Sequence, residues 1–431
     1  MNREVRVGVV GLWHLGCVLC AAWSRLGHPV QGVDFSKKIV RDLQNGIPPI
    51  FEPGLEAELK KNIGKNLSFS EAPKNLSECD FVFLAYDTPV KDNDESDTSV
   101  LRQAVLKIRG FLKDGSVVIV SSQAPVGFCR VLRKILKEKN PTLELVYSPE
   151  NLRLGEAIDC YLNPGRIVVG YESEEAYQKV KVLFRGIPAE VIAMSLESAE
   201  MAKHAINSFL AASITFSNHL ADLCEAASAD IFHVVKAMKS DPRIGPKAYL
   251  AAGIGFSGGT LGRDLRVLDA LNTRHRLHAD LFGKIHRDNA LRKEALIQKA
   301  GKILKNSFHG KKIGILGATY KPGTSTLRRS LPFEIVRQLG RKGASVELFD
   351  PKADFSEVEI PRFLNIAKKA QAVFHKSELV ILLTEWPQFR ELDWKRAVSR
   401  MARPNFFDAK NFLADLNLKS FAFNYYGVER S

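Results

Sequence analysis

Residues Val5 to Gly11 read VRVGVVG, a short, largely apolar and β-branched run of the kind that forms a strand buried on both faces of a parallel sheet. A glycine-bearing turn follows, Gly11-Leu12-Trp13-His14-Leu15-Gly16, and then an apolar helix through Leu26. A second strand, Pro29 to Val33, ends on Asp34. Strand, turn, helix, strand and acid in this order make the fingerprint of a dinucleotide-binding βαβ unit. Gly11, Trp13, Gly16 and Asp34 are its candidate cofactor residues. Asp34 would accept hydrogen bonds from the adenosine ribose hydroxyls and disfavour a 2′-phosphate, which points to NAD over NADP, with Lys37 and Lys38 nearby as the opposing feature. The middle glycine of the fingerprint is Trp13. Three outcomes are open: the indole swings out onto another surface, the cofactor sits differently, or it does not bind.

The chain has 431 residues, too many for one core. Further strands are expected at Phe81–Ala85, before Tyr86-Asp87-Thr88-Pro89, and at Val117–Val120, before Ser121-Ser122-Gln123. Arg166–Gly170 and Glu190–Ala193 read as closing strands of the same domain. From Leu196 to about Ala229 the pattern is helical and long, with Glu197 and Glu200 suiting the positive end of its dipole. It is helical again from Leu265 to Leu304. Strand–helix alternation restarts after Gly310, with strands at Lys311–Leu316, Ser345–Phe349 and Leu379–Leu383 and a last segment at Phe406–Asn411. The expected fold is α/β: two doubly wound Rossmann-like domains, 1–195 and 306–431, joined by a long central helix in an all-α middle domain, 196–305.

Net charge is +14, with the basic residues dispersed and often beside acids. Anionic small molecules suit this field, and a nucleic-acid partner does not. No apolar run reaches the length of a membrane span, and the start of the chain enters a strand directly, so no membrane or export signal is expected and the cytoplasm is the expected location. Cys17 and Cys20 are spaced like half a metal site, but no second pair exists, so packing and no metal are expected.

The stretch Gly253 to Asp264 (GIGFSGGTLGRD) holds five glycines in twelve residues and closes on Arg263 and Asp264. Such density weakens regular structure, lets main chain approach a ligand and offers N–H groups to an anion. Lys203 and Asn207 are spaced i, i+4 on one face of the long helix, with Lys203 in an apolar neighbourhood. Glu150 follows a strand in Tyr147-Ser148-Pro149-Glu150-Asn151.

Together with Glu52-Pro53-Gly54-Leu55 and Gly317–Thr324 (GATYKPGT), these stretches make the chain resemble the UDP-glucose/GDP-mannose dehydrogenases, NAD-dependent enzymes that oxidise a nucleotide sugar at C6. The resemblance runs from Val5 to about Asn411. It implies catalytic roles for Lys203 and Asn207, which would hydrogen-bond the reacting oxygen and its water, and for Asp264 and Glu150. It puts Thr260 where the family has its nucleophilic cysteine, Gln123 where it has a threonine, and Leu154 where it has a second glutamate. Thr88, Pro89, Ser122, Gln123, Arg263 and Arg328 join the cofactor residues. Leu152, Arg243, Tyr249, Gly255, Phe256 and Lys321 join the substrate residues, Arg243 reaching the neighbouring subunit of a homodimer paired through the long helix. Lys410 stands for a family arginine, and the family's acid near Thr326 is absent.

Threonine cannot readily do the work of a thiol: a cysteine of pKa ~8.5 is partly ionised at neutral pH, and an aliphatic hydroxyl is not. Two function classes follow. One is an NAD-dependent oxidoreductase acting on a CH–OH group of a nucleotide sugar, most simply a UDP-sugar, and limited to a two-electron step. The other is a catalytically inactive or regulatory nucleotide-sugar binding protein.

Overall fold

The computed structural model describes residues 4–88, 97–150, 152–257, 259–278 and 280–428. The chain divides into two compact units, Met1–Ala205 and Ile206–Ser431.

The first unit is built on an eight-stranded sheet: β1 (Val7–Val10), β2 (Val30–Val33), β3 (Leu67–Ser70), β4 (Phe81–Leu84), β5 (Val117–Val120), β6 (Glu144–Tyr147), β7 (Ile167–Tyr171) and β8 (Val191–Ser195). The order across the sheet is β3-β2-β1-β4-β5-β6-β7-β8. All neighbours run parallel except β6 and β7, so the last two strands point back. Every residue of β1, β4 and β5 is buried, which is why these strands read as unbroken apolar runs. The helices are α1 (His14–Arg25), α2 (Lys37–Gln44), α3 (Leu55–Asn62), α4 (Ser99–Ile108), α5 (Phe128–Lys139), α6 (Ala157–Leu162) and α7 (Glu174–Leu183). Two cores result: α1, α3 and α7 cover one through Leu19, Trp23, Leu59 and Val180, and α4 and α5 cover the other through Leu101, Val105, Leu132 and Leu136. The edge strand β3 was not expected. Its four residues alternate buried and exposed, too short a pattern to stand out.

Helix α8 (Leu196–Ala226) contains the division between the units. In the second unit follow α9 (Ile231–Ser240), α10 (Leu261–Arg274) and α11 (Leu281–Ile303). The single helical stretch expected over Leu265–Leu304 is therefore two helices. Arg276, with φ 54°, takes the left-handed conformation that ends the first of them, and Asp280 starts the second. A six-stranded sheet completes the unit: β9 (Lys312–Leu316), β10 (Ser345–Phe349), β11 (Leu364–Ile366), β12 (Leu379–Leu382), β13 (Asn405–Asp408) and β14 (Asn424–Gly427), with α12 (Leu331–Arg341) and α13 (Trp394–Ser399). Its order, β11-β10-β9-β12-β13-β14, repeats that of the first six strands of the other sheet, all parallel. The architecture is the expected α/β one, two doubly wound sheets with helices between them in the chain. No helix among the described residues is long and apolar enough to cross a membrane.

Glu52 ties the first unit together at the carboxyl ends of its strands. Its side chain is buried. Oε2 accepts from His14 Nε2 at 2.8 Å and from the Gly155 N–H at 3.0 Å, and Oε1 accepts from the Ala157 N–H at 3.0 Å. One carboxylate thus holds the first residue of α1 and the start of α6. Burial opposes its ionisation, but the bonds from His14, Ala157 and Gly155 win and hold the carboxyl below its usual range. A carboxyl whose native pKa lies below its unfolded value (~4.3) contributes stability fully above that value and loses it as pH falls through the native one. Glu52→Gln offers a donor where an acceptor is needed. It is expected to lower stability near neutral pH by about 1–3 kcal/mol, with the gap to wild type closing as pH falls below the ordinary carboxylate range; urea midpoints at neutral and acid pH check both.

Candidate functional site

The glycines of the first turn are there for space and conformation. Gly11 has φ +93°, and a Cβ on it would lie 2.8 Å from Tyr86 Cγ. A Cβ on Gly16 would come within 1.8 Å of the Gly11 carbonyl oxygen. Trp13 differs. It is the N-cap of α1 with φ −85°, a value open to any residue, and is half-buried. An indole here takes up room without straining the chain.

Two comparisons between the sheets show where a dinucleotide fits. Helix α1 has no side-chain cap and no acid in its first turn, so its end is open to an anion. Helix α12, in the corresponding place, is capped by Ser330 and carries Glu334. Asp34, at the end of β2, accepts from Leu12 N–H at 2.8 Å and Ser36 N–H at 2.9 Å, one bond per oxygen, and keeps lone pairs for a ribose. Asp350, at the end of β10, is saturated. Its Oδ2 takes Ala318 N–H, both donors of Thr319 and Trp386 Nε1, and its Oδ1 takes Lys352 and Ala353 N–H, all at 2.8–3.1 Å. The first sheet fits NAD; the second, on the same chain path, does not.

Beside this crevice, the buried Thr88 Oγ1 donates to Gln123 O at 2.6 Å and the buried Ser122 Oγ to Leu84 O at 3.1 Å, joining the loops after β4 and β5. Pro89 lies outside the described residues. Helix α8 is fastened to the same loops. Glu200, fully buried, does not serve its own helix dipole as expected. Its two oxygens accept from the Gly127 N–H at 2.5 Å and the Cys129 N–H at 2.7 Å, capping α5. His204 Nε2 meets Ala124 O at 2.9 Å, and the buried Lys203 donates through Nζ to the main-chain oxygen of Glu150 at 2.5 Å. The Glu150 carboxylate turns back to accept from Leu152 N–H, and Leu152 packs on the core beneath α1. Lys203 and Glu150 are thus neighbours, through the backbone of one and the ammonium of the other.

In the second unit, Asn207 Nδ2 donates to Asp264 Oδ2, and both side chains are buried. Asp264 stands in the first turn of α10, where the helix dipole favours its charge. Thr260 is the exposed N-cap, and its hydroxyl makes no capping bond. The loop before it is less open than its glycines suggest. Gly253 N–H donates to Asn218 Oδ1 at 2.8 Å, and Gly253 O accepts from Arg292 Nε at 2.9 Å. Asn289 clasps both polar groups of Phe256, at 2.8 and 2.9 Å. Gly255 has φ +97°, and a Cβ there would lie 2.5 Å from Asn289 Oδ1. Ile254 is buried in the core of the second sheet and Phe256 among α8, α10 and α11. The expectation of free N–H groups fails at Gly253 and Phe256, because amide side chains on α8 and α11 already hold them. Arg263 is buried, one residue before Asp264.

Lys321 is half-buried in the loop after β9, and Arg328 is exposed, 3.7 Å from Glu357. Glu357 also accepts from Thr326 Oγ1 at 2.8 Å and Leu327 N–H at 2.7 Å, so this acid, 31 residues along, brings a carboxylate to Thr326. Lys410 pairs with Glu385 at 2.8 Å, and its side chain passes 3.7 Å from a Cβ built on Gly253. Tyr249 is exposed, and Arg243, also exposed, is gripped by Asp241 through two bonds, at 3.0 and 2.7 Å.

Three family descriptions match in series: the NAD binding domain of the UDP-glucose/GDP-mannose dehydrogenase family over residues 5–188, its central domain over 197–290 and its UDP binding domain over 314–415. A UDP-glucose 6-dehydrogenase of Rickettsia bellii is 31% identical over 431 residues, covering 98% of this chain and 99% of its own. A UDP-glucose dehydrogenase from Pyrobaculum islandicum superposes with a TM-score of 0.90 at 28% identity, covering 100% of this chain and 99% of that one. A UDP-D-ManNAc dehydrogenase of Pyrococcus horikoshii, 20% identical with a TM-score of 0.85 and 99% coverage of both chains, shares the fold. The chain carries an NAD binding domain and a UDP binding domain, and it belongs to the UDP-glucose/GDP-mannose dehydrogenase family.

Proposed function

We propose that this protein is an NAD-dependent oxidoreductase that oxidises a CH–OH group of a nucleotide sugar, most simply a UDP-sugar, by two electrons to a carbonyl. NAD, when bound, accepts the hydride. Gly11, Gly16 and Asp34, with Thr88, Ser122 and Gln123, would hold it at the N-terminal end of α1, and Arg263 and Arg328 are the cofactor residues that the second unit would contribute. The hydroxyl proton would leave to the Asp264 carboxylate, and Lys203, as an ammonium, would hydrogen-bond the reacting oxygen. Asn207 fixes the orientation of Asp264, and Glu150 presents its backbone to Lys203. Leu152, Tyr249, Gly255, Phe256 and Lys321 would line the sugar nucleotide. The division into 1–195, 196–305 and 306–431 belongs to this reading, since each stretch has its own share of the work.

The observation that carries the two-electron limit is Thr260. It stands exposed at the start of α10, and no side chain among the described residues hydrogen-bonds its hydroxyl. An alcohol without a base is not a nucleophile at neutral pH. The one cysteine of the second unit, Cys224, is buried. In the first unit, burial raises the thiols of Cys17, Cys20, Cys79 and Cys129, that of Cys79 to about 12.

A homodimer completes the reading. On α8, Phe209, Phe216 and Leu223 are 72%, 52% and 66% exposed at seven-residue intervals, one stripe along the helix. Large apolar groups at such a spacing favour a partner over water, each by about 1.5–3 kcal/mol when buried. Arg243 would then serve the neighbouring subunit.

A panel of UDP- and GDP-sugars with NAD, read by absorbance and product mass, is expected to yield one NADH per sugar and a nucleotide sugar two hydrogens lighter, with a carbonyl and no new carboxylate. Two NADH per sugar would end the two-electron version, and no turnover together with no thermal shift by NAD would favour the non-catalytic binding protein. Thr260→Cys is expected to add acid formation. For the dimer, Phe209→Asp with Phe216→Asp is expected to halve the mass seen by light scattering at micromolar concentration, and an unchanged mass would count against the α8 interface.

A further inference from the structure

Tyr86 follows β4 in the turn Tyr86-Asp87-Thr88 and has no part in the roles assigned above. Its ring lies against the first glycine of the dinucleotide turn: a Cβ on Gly11 would come within 2.8–3.0 Å of three ring atoms. The ring also packs, with Phe35, on the cluster that contains Val10 and Val33, the residues next to Gly11 and Asp34. Tyr86 therefore lies against the turn, near enough to Asp34 for that charge to act on its phenol, in the half of the crevice where a doubly wound sheet receives adenosine. Its hydroxyl is shut off from solvent and has no hydrogen-bond partner. Such a group costs free energy wherever it is left unpaired, and native proteins seldom leave one without a reason. Burial, and then the charge of Asp34, raise the phenol well above its ordinary range, so it stays a neutral hydroxyl able to donate.

We propose that Tyr86 is a specificity-determining residue for the adenosine half of NAD, its ring closing the crevice between Gly11 and Asp34 and its hydroxyl pairing with the ribose edge of the bound nucleotide. This rests on NAD binding by the first unit. A 2′-phosphate would have to enter beside the Asp34 carboxylate and against this ring, so Tyr86 and Asp34 select together for the unphosphorylated ribose. The competing account is a tyrosine that only fills space. It requires the ring and has no use for the hydroxyl, and the two accounts therefore separate at one atom.

The experiment is equilibrium calorimetry on the full chain with NAD, NADP, AMP and UDP, comparing wild type with Tyr86→Phe. The variant keeps every ring contact and removes only an unpaired hydroxyl, so its melting temperature should match or exceed that of wild type. NAD and AMP are each expected to bind about three- to tenfold more weakly, NADP is expected to change less than NAD, and UDP is expected to be unaffected. NAD and AMP affinities within twofold of wild type would overturn the proposal, as would equal losses for AMP and UDP, which mark a general structural effect. A wild-type protein that binds UDP but neither NAD nor AMP would overturn the reading of the first unit itself, and this inference with it.

Discussion

Helix α5 begins without a cap of its own. Its N-cap is Gly127, in the left-handed conformation and with no side chain to turn back onto the first N–H groups. The carboxylate of Glu200 supplies the missing acceptors from α8, and it is wholly buried in doing so. Burial is the larger influence on this acid and raises its pKa, and the two N–H donors oppose that rise. Charge-assisted bonds of this kind contribute about 1.5–3 kcal/mol each, but their geometric consequence matters more. Once Glu200 is fixed, the rotation of α8 about its axis is fixed. Lys203 and His204, one turn on, must then face the loops after β6 and β5, and they do. Arg130, on α5, closes the same join from outside through Glu197 at 2.8 Å. The placement of the buried Lys203 ammonium near Glu150 is thus a consequence of how a neighbouring helix is capped.

Strand periodicity, the glycine turn and the acid at position 34 were legible because each depends on residues close in sequence. The βαβ unit is a local object, and so is the i, i+4 relation of Lys203 and Asn207. What could not be read was the destination of side chains that act across the fold. Glu200 looked like an acid in the first turn of its own helix. Asn289 and Arg292 carried no signal, since amides and arginines on an amphipathic helix are ordinarily solvated, yet they hold Phe256 and Gly253. The family's acid near Thr326 is absent from the local sequence, and what could not be read was that Glu357 brings a carboxylate there from a 3₁₀ turn after β10. The glycine loop misled in the opposite direction. Its composition suggested free main chain, and the structure uses two of its N–H groups for anchorage.

The two sheets show how one chain path divides its labour. Both place a glycine with φ near +92° after the first strand, at Gly11 and Gly317, and an aspartate after the second, at Asp34 and Asp350. Sequence pattern alone does not separate them. What separates them is whether polar capacity has been spent inside the protein. In the second sheet Thr319, Trp386, Lys352 and Ala353 occupy the carboxylate, and Ser330 occupies the helix end. In the first, one bond per oxygen leaves Asp34 able to accept more, and the N-cap residue of α1 makes no side-chain cap bond. A site of this type is defined by what is left unsatisfied, a property of the folded molecule and not of its motifs.

The same reasoning accounts for the altered fingerprint. Of the three positions in Gly11-Leu12-Trp13-His14-Leu15-Gly16 where a glycine is ordinarily found, two are irreplaceable here on steric grounds. At Gly16 a methyl group would sit inside the van der Waals radius of the Gly11 carbonyl oxygen, and at Gly11 both φ and the Tyr86 ring forbid one. Neither objection holds at Trp13, whose backbone is extended and whose side chain leaves the helix start towards partial exposure. The glycine ordinarily found there serves the ligand and not the fold. Its loss leaves the βαβ unit intact, because the substituted position asks the backbone for no positive φ.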